Sequence, residues 1–182
     1  MQQLADKEAI RDLVMSYCRG VDRQDFALLR TLYAPNAVED DHGGLYSGSA
    51  EGYVAWLAEV MPRVGITSHN VTNHLIAFDG PATAQGEVYC IAYHRMPASE
   101  DGWEDLVHGM RYLDHYTKGR DGIWRFARRT VTVDWKQIGP CSWDPERDTS
   151  KALKGRHGPT DSSYRVLSNP FFARRTPQGG TS

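Results

Sequence analysis

Two residues have types suited to moving a proton, and each also has an ordinary structural explanation. Asp22 stands in CRGVDRQD, where a helical pattern gives out. There an aspartate can simply cap the next helix or sit solvated in a turn. Aimed inward and partnered by histidine, it becomes the carboxylate that orients an imidazole. His69 stands in ITSHNVTNH, at the start of a strand-like stretch. Strand alternation places His69, Val71 and Asn73 on one face and Asn70, Thr72 and His74 on the other. Polar residues on both faces of a strand covered by helices point to a polar cavity on one side. A carboxylate accepting a hydrogen bond from imidazole favours its protonated form. The neutral ring can take a proton and the imidazolium can return it.

Tyr17 and Arg129 are the candidates to assist. Tyr17 lies five residues before Asp22, which in a regular helix separates their directions by about 140°. Both can face one pocket only if the helix loosens near Gly20; otherwise Tyr17 is a core residue. Arg129, in WRFARRTV, shares parity with Val131, Val133 and Trp135. Inside a fold it needs an anionic partner or a developing negative charge to stabilise. Tyr53, Trp56, Asn73, Tyr112 and Trp135 are the candidate substrate-binding residues, fitting an aromatic small molecule.

No metal or cofactor is expected. His74, His94, His108 and His115 are irregularly spaced, with no HExxH and no two-histidine-one-carboxylate pattern. GxGxxG, P-loop and GxSxG motifs are absent too. The three cysteines, Cys18, Cys90 and Cys141, are too scattered for a zinc knuckle or disulfide framework, and are expected reduced and structural.

The elements that must position these residues follow from periodicity. A first helix, capped by Asp6, buries Ile10, Leu13, Val14, Tyr17, Cys18 and Val21. A second starts at Asp25 and stops at Ala34-Pro35. A short strand near Ala37–Glu39 precedes a turn at Gly43-Gly44, and a third helix spans Ala50 to Met61, ended by Pro62. Four strand-like stretches follow, Thr67–Phe78, Thr83–Arg95, Leu106–Lys118 and Ile123–Trp135, joined by short turns that suit antiparallel neighbours. The layout is α+β: three helices on a strongly curved, mainly antiparallel sheet, making a cone whose interior can hold a ligand. Residues 1–136 form this domain. Residues 137–182, with Tyr164 and Phe171-Phe172, form an extension expected to pack over the pocket or on a neighbouring subunit, its last six residues disordered.

The 182 residues suit one domain, with 40% hydrophobic and 24% charged residues and a net charge of −2. That balance gives no support for nucleic-acid binding. No apolar run approaches the ~20 residues that span a bilayer. The opening MQQLADKEAIRDL lacks the apolar stretch of a signal peptide, so the expected compartment is the cytoplasm.

The segment AIRDLVMSYCRGVDRQDFALLRTLYAPNAV resembles the start of SnoaL-like proteins of the nuclear-transport-factor-2-like superfamily, and TSHNVTNH and GIWRFARRTV resemble its histidine strand and final strand. The resemblance covers about residues 5 to 136. It implies the cone-shaped α+β barrel and a branch that includes scytalone dehydratase, bile-acid 7α-dehydratase, hexachlorocyclohexane dehydrochlorinase and a diarylpropane lyase. In that branch an Asp ending the first helix and a His on the following strand form a dyad, matched by Asp22 and His69. Tyr17 matches the bile-acid enzymes and departs from the lysine of the dehydrochlorinase, whose pocket arginine is matched by Arg129. The implied activity is a cofactor-independent lyase on a hydroxylated aromatic or polycyclic molecule, by loss of water or by deformylation of a diarylpropane diol. An isomerase, a cyclase and a non-catalytic binding module are the alternatives. The family's exchange of C-terminal segments, with the apolar tail, implies a homo-oligomer, a trimer being favoured.

Overall fold

In a computed structural model, residues 1–98, 102–141, 143 and 147–173 are described. The expectation of a disordered C-terminus lies outside them. Helix α1, Gln2–Asp22, starts at Met1 rather than at Asp6. Asp6 lies inside the helix, buried, and accepts from Trp124 Nε1 at 2.9 Å and Lys118 Nζ at 2.7 Å. A polar residue read as a cap is thus a tie between the helix and the sheet.

The helix does not loosen at Gly20. It runs regularly to Asp22, and a Cβ on Gly20 would meet Leu29 at 2.6 Å. Glycine is there so that helix α2, Phe26–Leu32, can approach closely. Asp25 caps α2 by accepting from Leu28 N at 3.0 Å, and Gln24 turns the chain with a φ of 51°.

Strand β1, Tyr33–His42, is longer than expected and includes Ala34-Pro35. After β2, Gly48–Ser49, Ser49 caps helix α3, Ala50–Val60, which passes into a 3-10 turn at Met61–Arg63. The meander is β3, Thr67–Gly80, β4, Thr83–Pro97, β5, Trp103–Lys118, and β6, Trp124–Pro140. Among the described residues, six strands lie in the order β2-β1-β6-β5-β4-β3, with β1 and β6 parallel and the other neighbouring pairs antiparallel. This is an α+β fold with the helices on the inner face of a curved, mostly antiparallel sheet. Ile10 and Val14 of α1, Leu29 of α2, Val88 of β4 and Phe126 of β6 are fully buried between the layers, each contributing roughly 1.5–3 kcal/mol by leaving water.

Bulges bend the sheet and reset which side chains face inward. Val71 and His74 pair with Cys90 and Val88, so Thr72 and Asn73 together span Tyr89. Beyond that point His74 faces in and Asn73 is exposed, reversing the simple alternation. Likewise Val133 and Trp135 pair with Met110 and Gly109, leaving Asp134 as the extra residue. Trp135 comes to lie across Gly109, where a Cβ would meet its ring nitrogen at 2.1 Å, and is 49% exposed.

The extension returns to the end of α1. Gly158 N donates to Arg23 O at 2.8 Å, and Arg23 binds the buried Asp161 at 3.1 Å. Arg19 lies over the rings of Tyr164 and Phe172, at 5.0 and 5.5 Å. Tyr164 belongs to a one-turn helix α4, Ser163–Val166. Among the described residues no helix is long and apolar enough to cross a membrane.

Candidate active site

Asp22, at the end of α1, meets the first residues of β3. Its Oδ1 lies 2.7 Å from His69 Nδ1 and accepts from Thr67 Oγ1 at 2.8 Å; its Oδ2 accepts from the His69 backbone N–H at 3.0 Å. Thr67 and His69 share a face because they stand two apart on one strand. Burial opposes the charge on Asp22, but the bonds and charge of His69, with the Thr67 hydroxyl, outweigh it and hold the carboxyl below its ordinary pKa. Burial pushes His69 down and Asp22 pushes it up further, so its pKa is raised. A carboxylate can only accept, so Nδ1 carries the proton and Nε2, which makes no hydrogen bond among the described residues, is left as the base. The side chains of His69 and Asp22 are only 7% and 11% exposed.

Because α1 stays regular, Tyr17 leaves it in a different direction from Asp22. Both are nonetheless buried against the sheet, Asp22 on β3 and Tyr17 among Tyr112, Phe126 and Arg129, so loosening near Gly20 is not the condition for both to reach the interior. The Tyr17 hydroxyl lies 2.6 Å from that of Tyr53 on α3. Arg129, from β6, connects the two regions. Its guanidinium is held 4.2, 4.4 and 4.1 Å from the ring centres of Tyr17, Tyr112 and Phe126. Its positive charge also acts on His69. The anionic partner is Asp114 of β5, which receives Nε at 2.7 Å and Nη2 at 2.8 Å. Arg129 Nη1 is buried with no partner, leaving its N–H groups unspent. Sequence reading missed Asp114, though its alternation with Tyr112 and Tyr116 placed it on their face. Tyr116 donates to Asp114 at 2.9 Å and lies 3.2 Å from His74 Nε2.

A second polar chain lies across the interior. Tyr53 OH is 3.0 Å from His42 Nε2, and His42 Nδ1 is 3.2 Å from Glu39 Oε2. Tyr33 OH donates to Glu39 Oε1 at 2.5 Å. Trp56 stacks on Tyr53 with ring centres 5.9 Å apart. Burial, with Glu39's charge adding to it, pushes the Tyr17 and Tyr53 hydroxyls above their ordinary pKa, so both remain neutral. No motif announced Glu39 and His42: three apart on a strand they would face opposite sides, and the irregularity between Glu39 and Asp41 lets them meet.

On the inner face beyond the pair, the ring of His69 stands 5.1 Å from that of His94, and His94 stands 5.7 Å from His108. Burial pushes His94 down to about 3, so it is neutral, and its Nδ1 is buried without a partner. The Cys18 and Cys90 thiols contact each other nearby, which raises Cys18 and lowers Cys90. Among the described residues no group of three or more His, Cys, Asp or Glu could hold a metal ion.

Of the expected site residues, Asp22 and His69 meet directly. Tyr17, Tyr53, Trp56, Tyr112 and Arg129 gather around the adjoining interior. Asn73 and Trp135 do not join them, because the bulges at Asn73 and Asp134 turn them outward. Two surface grooves lie elsewhere, one beside Tyr33, Pro35, Arg120 and Arg125 and one beside Arg95, Trp103 and Cys141.

Comparison with known proteins gives a consistent picture. A model of the SnoaL-like domain matches residues 2–130. An uncharacterized protein of Mycobacterium tuberculosis is 28% identical over 138 residues, 75% of this chain and 90% of its own length. Scytalone dehydratase arp1 of Aspergillus fumigatus is 25% identical over 144 residues, 72% of this chain and 84% of its own. Among solved structures, a type 2 hexachlorocyclohexane dehydrochlorinase (LinA) superposes with a TM-score of 0.70 at 22% identity, covering 81% of this chain and 98% of that one. The type 3 enzyme of Novosphingobium barchaimii gives 0.64 at 23% identity, covering 79% and 94%.

Proposed function

The chain belongs to the SnoaL-like domain family, and on that premise we propose that it is a lyase that eliminates water or a small carbonyl fragment from a hydroxylated aromatic or polycyclic molecule. The observation that carries the reading is the Asp22–His69 pair: three hydrogen bonds fix the carboxylate and leave His69 Nε2 free. Two relatives named above, a scytalone dehydratase and a dehydrochlorinase, have eliminations in their names, and this pair is suited to the proton abstraction that an elimination needs.

In this reading His69 Nε2 removes a proton from carbon or from a hydroxyl of the substrate. The released electron pair forms a double bond and expels the leaving group. Imidazolium forms beside Asp22, whose charge stabilises it. The unspent Arg129 Nη1 offers N–H donors toward an enolate, phenolate or alkoxide. Tyr17 keeps its proton at neutral pH and so can lend it to a departing hydroxyl. These proton transfers need side chains alone, and the reading calls for no cofactor.

The test is incubation of the purified chain with a panel of hydroxylated aromatics, scytalone and a diarylpropane diol included, followed by absorbance and mass spectrometry. Loss of water or formaldehyde that disappears in His69→Ala supports the reading. Retention of a compound without turnover would make the chain a binding module instead.

A further inference from the structure

We propose that Glu39, His42, Tyr53 and Tyr17 form a proton relay, with His42 as the positioning residue that sets its direction and supplies, through Tyr17, the proton that the leaving group takes. The proposal rests on the lyase reading and adds an acid arm opposite the Asp22–His69 base.

The geometry is a continuous chain. Tyr17 and Tyr53 hydroxyls are 2.6 Å apart, Tyr53 and His42 Nε2 3.0 Å, and His42 Nδ1 and Glu39 Oε2 3.2 Å. Glu39 is fully buried and receives the Tyr33 hydroxyl on its other oxygen. Tyr17 and Tyr53 are each 1% exposed, whereas the His42 side chain is 18% exposed. Of the four members, His42 therefore has the readiest exchange of protons with water. The groups that face it are Glu39 on its own strand, Tyr53 on α3, and His94 on β4, which feels its charge.

Hydrogen-bond polarity gives this chain two states. A carboxylate only accepts, so with Glu39 in that form His42 Nδ1 carries the proton of their bond. When His42 is neutral, Nε2 must accept from Tyr53, and the Tyr53 oxygen in turn takes the hydrogen of Tyr17. Both hydroxyls then point away from the substrate. When His42 is protonated, Nε2–H donates to Tyr53, Tyr53 donates to Tyr17, and the Tyr17 hydroxyl is released toward the substrate. One proton at the exposed end thus reverses every bond in the chain. Glu39 supplies the counter-charge for the imidazolium.

The step balances. Tyr17 gives its proton to the departing oxygen as the carbon–oxygen bond breaks, and the oxygen leaves with the bonding pair as water. Tyr17 takes the Tyr53 proton and Tyr53 takes the proton of His42 Nε2, so neither tyrosine ionises. His69 has meanwhile gained the substrate proton. His69 then releases a proton to water and His42 recovers one.

The relay can be tested without a substrate, by NMR of the full chain carrying 13Cζ-tyrosine and 15N-histidine. The Cζ signals, assigned with Tyr17→Phe and Tyr53→Phe, report hydroxyl donation. Tyr17 and Tyr53 signals should both move with the midpoint of the His42 titration. In Tyr53→Phe, His42 should still titrate while Tyr17 no longer follows, and His69→Ala should leave the coupling intact. His42→Gln, which can hold both bonds but does not titrate, should leave the Tyr17 signal flat with pH. If Tyr17 ignores the His42 titration in the unaltered protein, or still follows it in Tyr53→Phe, there is no relay. For turnover, scytalone is the probe. His42→Gln should lower kcat by about 10²-fold and remove the high-pH fall in the rate, keeping the low-pH rise set by His69. An unchanged profile would overturn the catalytic role. Failure of the whole panel to react would instead sink the lyase reading, and the NMR result would still decide whether the relay exists.

Discussion

Asp22 holds His69 at two points, side chain to side chain at 2.7 Å and carboxylate to backbone N–H at 3.0 Å. The imidazole ring and the strand that bears it are therefore fixed by one carboxylate. His69→Ala and Asp22→Asn should each lower turnover on the order of 10²–10⁴-fold. Steady-state kinetics of the double variant should show a loss well short of the product of the two, since both residues serve one step. Tyr17→Phe should cost less. A multiplicative double variant would mean that the two residues act separately.

The same pair should make activity and stability respond oppositely to pH. The base must be neutral, so kcat/KM should rise with pH through a value above the ordinary 6.5 of histidine. Asp22→Asn leaves burial as the dominant influence and should move that rise below 6.5. For stability, a raised histidine contributes fully below about 6.5 and loses that contribution as pH climbs through its folded value. A lowered aspartate contributes above about 4 and loses its share as pH falls. Urea unfolding should show the Asp22–His69 contribution greatest between these limits and absent from the double variant His69→Ala/Asp22→Asn.

Asp114→Ala should be more harmful than its position away from the base suggests. It leaves the Arg129 guanidinium desolvated and without its counter-charge, at a cost of about 3–5 kcal/mol. Adding Arg129→Met to Asp114→Ala should recover much of that loss in a denaturant titration. Equal instability of the single and double variants would show that packing, not charge, sets the cost.

Gly20→Ala probes the close approach of α1 and α2. The new methyl meets Leu29 at 2.6 Å, and overpacking of this kind costs about 1–3 kcal/mol. A variant with unchanged or higher Tm would mean that the helices separate freely there.

The fifth expectation is self-association, a trimer being favoured. Leu75, Tyr89, Ile91 and Trp135 are exposed on the sheet strands, as is Phe171 on the extension. Light scattering at micromolar concentration should report more than one chain per particle, and a monomer would remove the idea.

Helical and alternating periods made most elements legible. Leu13, Val14, Tyr17 and Val21 mark one face of α1, and they are buried as read. The residue types of Asp22 and His69 left each an ordinary structural reading, and it was the family resemblance that paired them. What the pattern could not show was where alternation slips. One extra residue near Asn73 and another at Asp134 turned a presumed pocket residue and a presumed aromatic wall outward. Asp6 misled for a related reason: a buried carboxylate serving two distant donors has the same local sequence as a cap. Arg129 was placed inward by parity, but its partner Asp114 is on another strand, a pairing that only the sheet register reveals.

The parallel pairing of β1 with β6 has a consequence for how the molecule reaches its working form. The meander from β3 to β6 is built from neighbouring hairpins that close short loops, whereas Glu39 meets Arg129 in register only after about half the chain has been threaded between them. Closing so long a loop costs more entropy and is slow. Glu39 and His42 arrive on that strand, while Arg129 waits on the other. That half of the site therefore depends on the slow pairing: a chain can hold most of its meander before it brings Glu39 and His42 beside Arg129.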